Sequence, residues 1–338
     1  MSTCHAFKSN DEALTMQRSN AWQPSATMDV LRQRAALLAA IREFFAARDV
    51  LEVDTPLLGQ FAVTDVHLDN LRTQISGAAQ PYFLQTSPEY AMKRLLSAGS
   101  GSIYQLGKVF RDDELSSRHN PEFTMLEWYR LDFTAAQLMQ EINELMQYVS
   151  DAPAAVSISY QQLFIDQLGV DPLADDAVGQ LRDALSSYSS LADLVHREDD
   201  RDLLLDLAMA TVIEPQLNPK QPTFVTHYPV SQAALAQVNP EDPRTALRFE
   251  LFYGGLELAN GYQELTDAGE QQLRFERDNQ RRNSSGKLKA VPDVRLLAAL
   301  EQGLPDCSGV ALGVDRLLMV LLNQSEIEKV LPFAIDRA

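Results

Sequence analysis

The chain has two cysteines in 338 residues, Cys4 and Cys307, too few for a disulfide framework or a cysteine-built metal cluster. Its five histidines are scattered without ligand spacing, so they suggest no metal site either. No apolar run approaches the roughly eighteen residues of a membrane-spanning helix. The N-terminal region lacks the charged-then-apolar layout of a secretory leader, so no membrane partner is expected and a cytoplasmic location is. Positive charge is also scarce: 29 Lys and Arg stand against 47 Asp and Glu, a net charge of -18. Long nucleic-acid backbones are bound by basic side chains that displace counterions, so extended contact with RNA is not expected. The same acidity would also serve simply to keep a protein soluble. What is plentiful is apolar material, 45% of residues, enough to bury the core of one large domain or two.

Residues 1 to about 27 are polar and aperiodic and read as a loosely ordered extension, leaving 28–338 as the folded unit. From Val30, LRQRAALLAAIREFFAARDV has the spacing of an amphipathic helix, followed by VLEVDTPLL, a short strand stopped by Pro56. An irregular stretch with strand character comes next, then TSPEYAMKRLLSAG, a helix that Thr86 or Ser87 would cap. YQLGKVFR and EFTMLEWYR predict a hairpin around a long polar loop, and a helix is expected over 134–149. Between about 150 and 222, apolar helical stretches broken by Asp, Pro and Ser read as a helical insertion. FVTHYPV predicts a strand, and ALRFELFYGGLELANGYQEL a second hairpin. In CSGVALGVDRLLMVLL, the small residues Gly309, Ala311 and Gly313 precede a buried helix beginning near Val314.

Three features point to chemistry. The first hairpin would present Arg111 and Phe123 on one face, a guanidinium able to clamp a phosphate beside a ring able to lie on a purine. Arg111 would equally serve a structural ion pair with Asp112, Asp113 or Glu114. Arg316 falls in the first turn of the C-terminal helix, where a cation opposes the helix dipole and an anionic ligand would account for it. If the second hairpin turns at Tyr253–Gly254, Glu250 and Glu257 face each other, and magnesium shared with phosphates would relieve their repulsion. Glu264, seven residues beyond Glu257, would reach the same face only through a bulge, which Gly261 permits. Solvated glutamates on an edge strand are the plainer reading of the same pattern, and His119 is read either as a ligand contact or as a hydrogen-bonded loop residue.

Taken together the segments resemble the class II aminoacyl-tRNA synthetases, the lysine-specific branch in particular. The helix and strand ending at Pro56 resemble the first class II motif, FRDDE with HNPEFTMLEWY the second, and GVALGVDR the third. TSPE and ELANGYQEL are similar to lysyl-tRNA synthetase signatures, so the likeness runs from about Val30 to the C-terminus. The implied fold is α+β, an antiparallel sheet flanked by helices, with the first motif building a homodimer interface. Fewer than thirty residues precede the core, so the anticodon-binding domain of lysyl-tRNA synthetases is not expected. TFVTHYPVSQAALAQ and PDCSGVALGVDR are similar to the free-standing paralogues of that branch, which attach beta-lysine to a lysine of elongation factor P.

The resemblance then implies ATP and Mg2+ as cofactors, beta-lysine or lysine as substrate and elongation factor P as protein partner, without tRNA. By position, Arg111 would hold the α-phosphate and the substrate carboxylate, with Arg316 over adenine as the second catalytic arginine. Asp112, Asp113, Asn120 and Phe123 would frame the nucleotide, bordered by Leu258 and Gly313, while Glu250 and Glu257 would hold magnesium. Ser87, Glu89, Tyr129, Asn260, Tyr262 and Glu264 would surround the amino acid, Glu264 reading its distal ammonium and Glu89 its proximal one. The chain departs from the pattern twice. Asp113 stands where the second motif usually has glutamate, and Ala311 where lysyl-tRNA synthetases have glycine, which implies a reshaped amino-acid pocket. A truncated lysyl-tRNA synthetase that charges tRNA, or a non-catalytic amino-acid-binding paralogue, would carry the same motifs.

Overall fold

The computed structural model describes residues 22–112 and 115–338. Chain order begins with α1 (Met28–Ala46), which Thr27 caps by accepting the Val30 N–H, and β1 (Leu51–Glu52). β2 (Leu58–Gly59), β3 (Arg72–Thr73) and β4 (Tyr82–Leu84) form a small separate sheet in the order β2-β4-β3, the stretch that read only as irregular strand character. α2 (Glu89–Ser97) precedes the hairpin of β5 (Ile103–Phe110) and β6 (Glu122–Leu131). α3 (Ala135–Val149) opens with a capping box of Thr134 and Gln137.

The insertion contains α4 (Tyr160–Leu168), α5 (Ala177–Ser186), α6 (Ala192–Val195), α7 (Arg201–Ala208) and a π turn at Met209–Ile213. It is not purely helical: β7 (Val156–Ser159) pairs in parallel with β8 (Thr223–Thr226) and closes one edge of the main sheet. β9 (Arg248–Tyr253) and β10 (Leu256–Gln263) make the second hairpin, and α8 (Ala268–Ser284), α9 (Val294–Gly303), β11 (Cys307–Gly313) and α10 (Val314–Leu321) complete the chain.

The main sheet runs β1-β5-β6-β11-β10-β9-β8-β7. Its six central strands are antiparallel neighbours and the two edge strands attach in parallel. One face is the core: Leu126, Trp128, Val310, Leu312, Phe249 and Leu251 pack with Ile41 and Phe45 of α1, Ile142 of α3 and Leu317 of α10. Because successive strand residues alternate faces, the opposite face must carry Met125, Glu127 and Tyr129 of β6, Gly309, Ala311 and Gly313 of β11, and Asn260 and Tyr262 of β10. Arg248 and Glu250 of β9 join them, because they pair with Tyr262 and Asn260. This second face is the floor of the site.

A buried polar network ties α1 and α10 to the start of β6. Arg34 of α1 pairs with Asp315 of α10 and donates to the Thr124 hydroxyl at 2.7 Å, while the Thr124 N–H donates to Asp315 at 2.6 Å. The segment before α1 is also docked: Ser25 and Ala26 donate backbone hydrogen bonds to Pro332 and Leu331. Most of the expected extension, and Asp113, lie outside the described residues.

Candidate functional site

A cavity of about 1200 Å³ opens over the free face of the sheet. Its walls come from α2, the small sheet, the β5–β6 loop, α8, and α4, α7 and the π turn of the insertion. Arg111 and Arg316, distant in sequence, both line it, and so do Ser87, Glu89, Asn120, Phe123, Glu250, Glu257, Leu258, Asn260, Tyr262, Ala311 and Gly313. Asp112 is exposed outside the lining, while Tyr129 and Glu264 lie directly behind it.

At the arginine end, the Arg111 guanidinium lies 5.3 Å from the centroid of the Phe123 ring. Arg316 leaves the first turn of α10 and is steered by the Glu257 carbonyl, to which it donates at 3.0 Å. Its other nitrogen meets Nε2 of His119 at 2.6 Å. A guanidinium only donates, so this imidazole nitrogen accepts, and His119 carries its proton on Nδ1, 2.8 Å from the Ser116 hydroxyl. His119 is thus the hydrogen-bonded loop residue, and it aims an arginine. Asn120 is spoken for at both ends of its amide, donating to the Glu122 carbonyl and accepting from Ile335 N–H.

The hairpin glutamates differ from expectation in register. The turn falls at Gly254–Gly255, both with positive φ, so Glu257 sits across from Phe252 and Glu250 across from Asn260. A shift of register between Glu257 and Ala259 then returns Glu257, Asn260 and Tyr262 to one face. The bulge therefore lies beside Leu258 and not at Gly261, whose missing side chain serves another purpose: a Cβ there would come within 2.8 Å of the Gly309 carbonyl. Glu250 is held at both oxygens, by Arg248 at 2.5 Å and by the Tyr228 hydroxyl at 2.5 Å. Glu257 lies deep in the cleft with 38% of its side chain still open; burial, then the charge of Glu250, raises its carboxyl to about 7. Among the described residues no group of three or more His, Cys, Asp or Glu is disposed to hold a metal, so a cation here would need ligands from elsewhere.

The amino-acid end contains a residue that the sequence reading missed. Lys93, 1% exposed, lies between two of the expected substrate carboxylates, 2.8 Å from Glu89 and 2.6 Å from Glu264. Glu264 therefore contacts an internal ammonium rather than the open cavity. Glu127 is a second omission, buried and accepting from Ser87 and Tyr129 at 2.7 Å each. Burial raises both Glu127 and Glu264 to about 8, with the charge of Glu89 adding to each. Glu89 remains the carboxylate on the cavity wall, accepting from the Tyr262 hydroxyl at 3.2 Å.

Signals for both residues were present in the sequence. Glu89 and Lys93 have the i, i+4 spacing of a helical ion pair, and Lys93 sits beside Met92 on the buried side of α2. Glu127 has the period of the floor residues Met125 and Tyr129. Gly309 makes the arrangement possible, since a Cβ there would meet the Glu264 carboxylate and the Tyr129 ring at 2.4 Å. Ala311 sits between Asn260 and Glu127 on adjacent strands, so its methyl group narrows the floor of the pocket.

The sequence profile of the family tRNA synthetases class II (D, K and N) matches residues 10–337. Among curated proteins the chain is similar to "Elongation factor P--(R)-beta-lysine ligase" of Salmonella gallinarum (strain 287/91 / NCTC 13346). The two are 50% identical over 327 residues, which span 96% of this chain and 100% of that protein.

Proposed function

The chain belongs to the class II tRNA synthetases of the D, K and N group, and on that premise we propose that it is an ATP-dependent ligase for elongation factor P. It activates (R)-beta-lysine, or lysine, as an aminoacyl-adenylate and transfers the aminoacyl group to a lysine side chain of that factor. The full-length likeness to the ligase named above supports the substrates. The observation that carries the chemistry is one cavity holding two arginines at one end and an acidic pocket at the other. When ionised, Glu89, Glu127 and Glu264 surround the single ammonium of Lys93, leaving a deficit of two positive charges that a diammonium substrate supplies.

In the first step the substrate carboxylate attacks the α-phosphate in line, and pyrophosphate leaves. Arg111 serves this by drawing the carboxylate and α-phosphate together, and Arg316, aimed by His119 and the Glu257 carbonyl, by covering adenine. Glu89 meets a substrate ammonium directly, while Glu264 and Glu127 set the field from behind it. Asn260, Tyr262 and Ala311 shape the remaining wall. Glu257, part-open to the cleft and 3.8 Å from Arg316, suits a magnesium ion shared with phosphates, whereas Glu250 is already held at both oxygens by Arg248 and Tyr228. Bound there, magnesium would screen the phosphate charge. The protein works as a homodimer in this reading, which sedimentation would check. The test of the function is mass spectrometry of elongation factor P after incubation with this protein, ATP and either lysine isomer. A gain of one lysyl unit is expected, and an unmodified factor beside charged tRNA would reassign the enzyme.

A further inference from the structure

The cavity extends past the pocket described above into the insertion, where Tyr160 of α4, Asp206 of α7 and Glu214 line its wall. None of these has a part in the adenylation scheme. Tyr160 is 1% exposed, yet its hydroxyl has no hydrogen-bond partner among the described residues. Tyrosine hydroxyls buried in this way ordinarily find a partner, so a polar group on a ligand is the missing one. Asp206 is exposed along the cavity wall and accepts a hydrogen bond from the Gln232 side chain at 2.8 Å. Desolvation within the cleft raises its carboxyl, and the charge of Asp202 raises it further; His67 and Arg248 act the other way. Burial raises Glu214 too, as does the nearby charge of Glu250. By contrast, neighbouring Asp202 is satisfied, by Arg281 at 3.0 Å and by the Ser231 hydroxyl at 2.6 Å. The groups open to the cavity are thus the unpartnered Tyr160 hydroxyl and the Asp206 carboxylate, which interact with each other and with Glu250.

Resting on the function proposed above, we infer that Asp206 and Tyr160 form the subsite that receives the primary ammonium of the acceptor lysine and takes one proton from it. The second half-reaction requires this. A lysine ammonium, with an ordinary pKa near 10.4, is not a nucleophile at neutral pH until a proton is removed. In the step, one proton passes from the ammonium to the Asp206 carboxylate, and the freed lone pair forms a C–N bond to the adenylate carbonyl carbon. The bond from that carbon to the phosphate oxygen breaks with its electron pair on AMP, and the surplus proton on nitrogen follows to the leaving phosphate. The groups that would tune the transfer are His67 from the loop before β3, Asp202 on α7, Tyr160 on α4, and Arg248 and Glu250 on β9.

The test separates the two half-reactions in the full-length protein. For Asp206→Asn, ATP–pyrophosphate exchange with (R)-beta-lysine should stay within about twofold of wild type, while kcat/KM for elongation factor P falls on the order of a hundredfold. Hydroxylamine, already neutral at pH 7, should trap the adenylate equally well with either protein, and Asp206→Glu should restore part of the transfer. Tyr160→Phe should raise KM for the factor more than it lowers kcat. Unaltered transfer by Asp206→Asn, or parallel loss of exchange and transfer, overturns the inference. Absence of exchange in the wild type would instead overturn the function on which it rests.

Discussion

Replacing Lys93 with methionine keeps the volume of the side chain and removes the cation that, among the described residues, contacts Glu89 and Glu264. At 2.8 and 2.6 Å, each contact is worth roughly 6 kcal/mol of gross attraction at an effective dielectric of about 20. Most of that is offset by the cost of burying the ions, several kcal/mol apiece, so the net loss should be about 3–5 kcal/mol, the usual result of orphaning a buried charge. The loss has a pH signature. Glu264 is raised to about 8 even with Lys93 present, and without it the buried carboxylates rise further. A carboxyl whose folded pKa lies above its unfolded one, near 4.3, makes the folded state progressively less stable as pH climbs between the two values. The deficit of Lys93→Met should therefore be smaller at about pH 6 than at about pH 8. Urea denaturation at both pH values measures it, and Glu264→Gln in the same background should recover part of the loss. A deficit under about 1 kcal/mol, one that is flat with pH, or strict additivity of the two substitutions would refute the reasoning.

Arg316→Ala removes the guanidinium steered by the Glu257 carbonyl and should slow ATP–pyrophosphate exchange on the order of a hundredfold while leaving the melting temperature near that of wild type. Gly309→Ala drives a methyl into the Glu264 carboxylate and the Tyr129 ring, so about 1–3 kcal/mol of stability should be lost in urea titrations, together with affinity for the amino acid. Glu127 and Glu264, both near 8, must ionise to attract a diammonium ligand. Affinity for (R)-beta-lysine should accordingly tighten from about pH 6 to about pH 8 with release of protons, seen by calorimetry in buffers of different ionisation enthalpy and diminished in Glu127→Gln. Ala311→Gly widens the floor between Asn260 and Glu127, and the ratio of exchange rates with lysine and beta-lysine should shift toward lysine.

The parts of the molecule legible in the sequence are those whose cause is local. α10 begins at Val314 as expected, because a run of small residues on β11 ends there and an apolar run starts. The β5–β6 hairpin follows from two aromatic and branched stretches, and α3 falls within the expected 134–149. Register was less legible. Placing the second turn one residue early set Glu250 against Glu257, whereas two glycines with positive φ set the turn at Gly254–Gly255. β7 escaped notice because four residues, half of them exposed, form a strand only by borrowing hydrogen bonds from β8.

The acidic pocket was the least legible of all, for a physical reason. A charged pair at i, i+4 on a helix is ordinarily a solvated face worth a few tenths of a kcal/mol, and nothing local distinguishes Glu89 and Lys93 from such a pair. What distinguishes them is tertiary: Glu264 arrives from the end of β10, beside Gly309 of β11, where a side chain would block it. The carboxylates expected to read the substrate are thereby divided. Glu89 faces the cavity, while Glu264 and Glu127 are buried behind it, and that division lets one pocket hold three carboxylates in place before any ligand neutralises them.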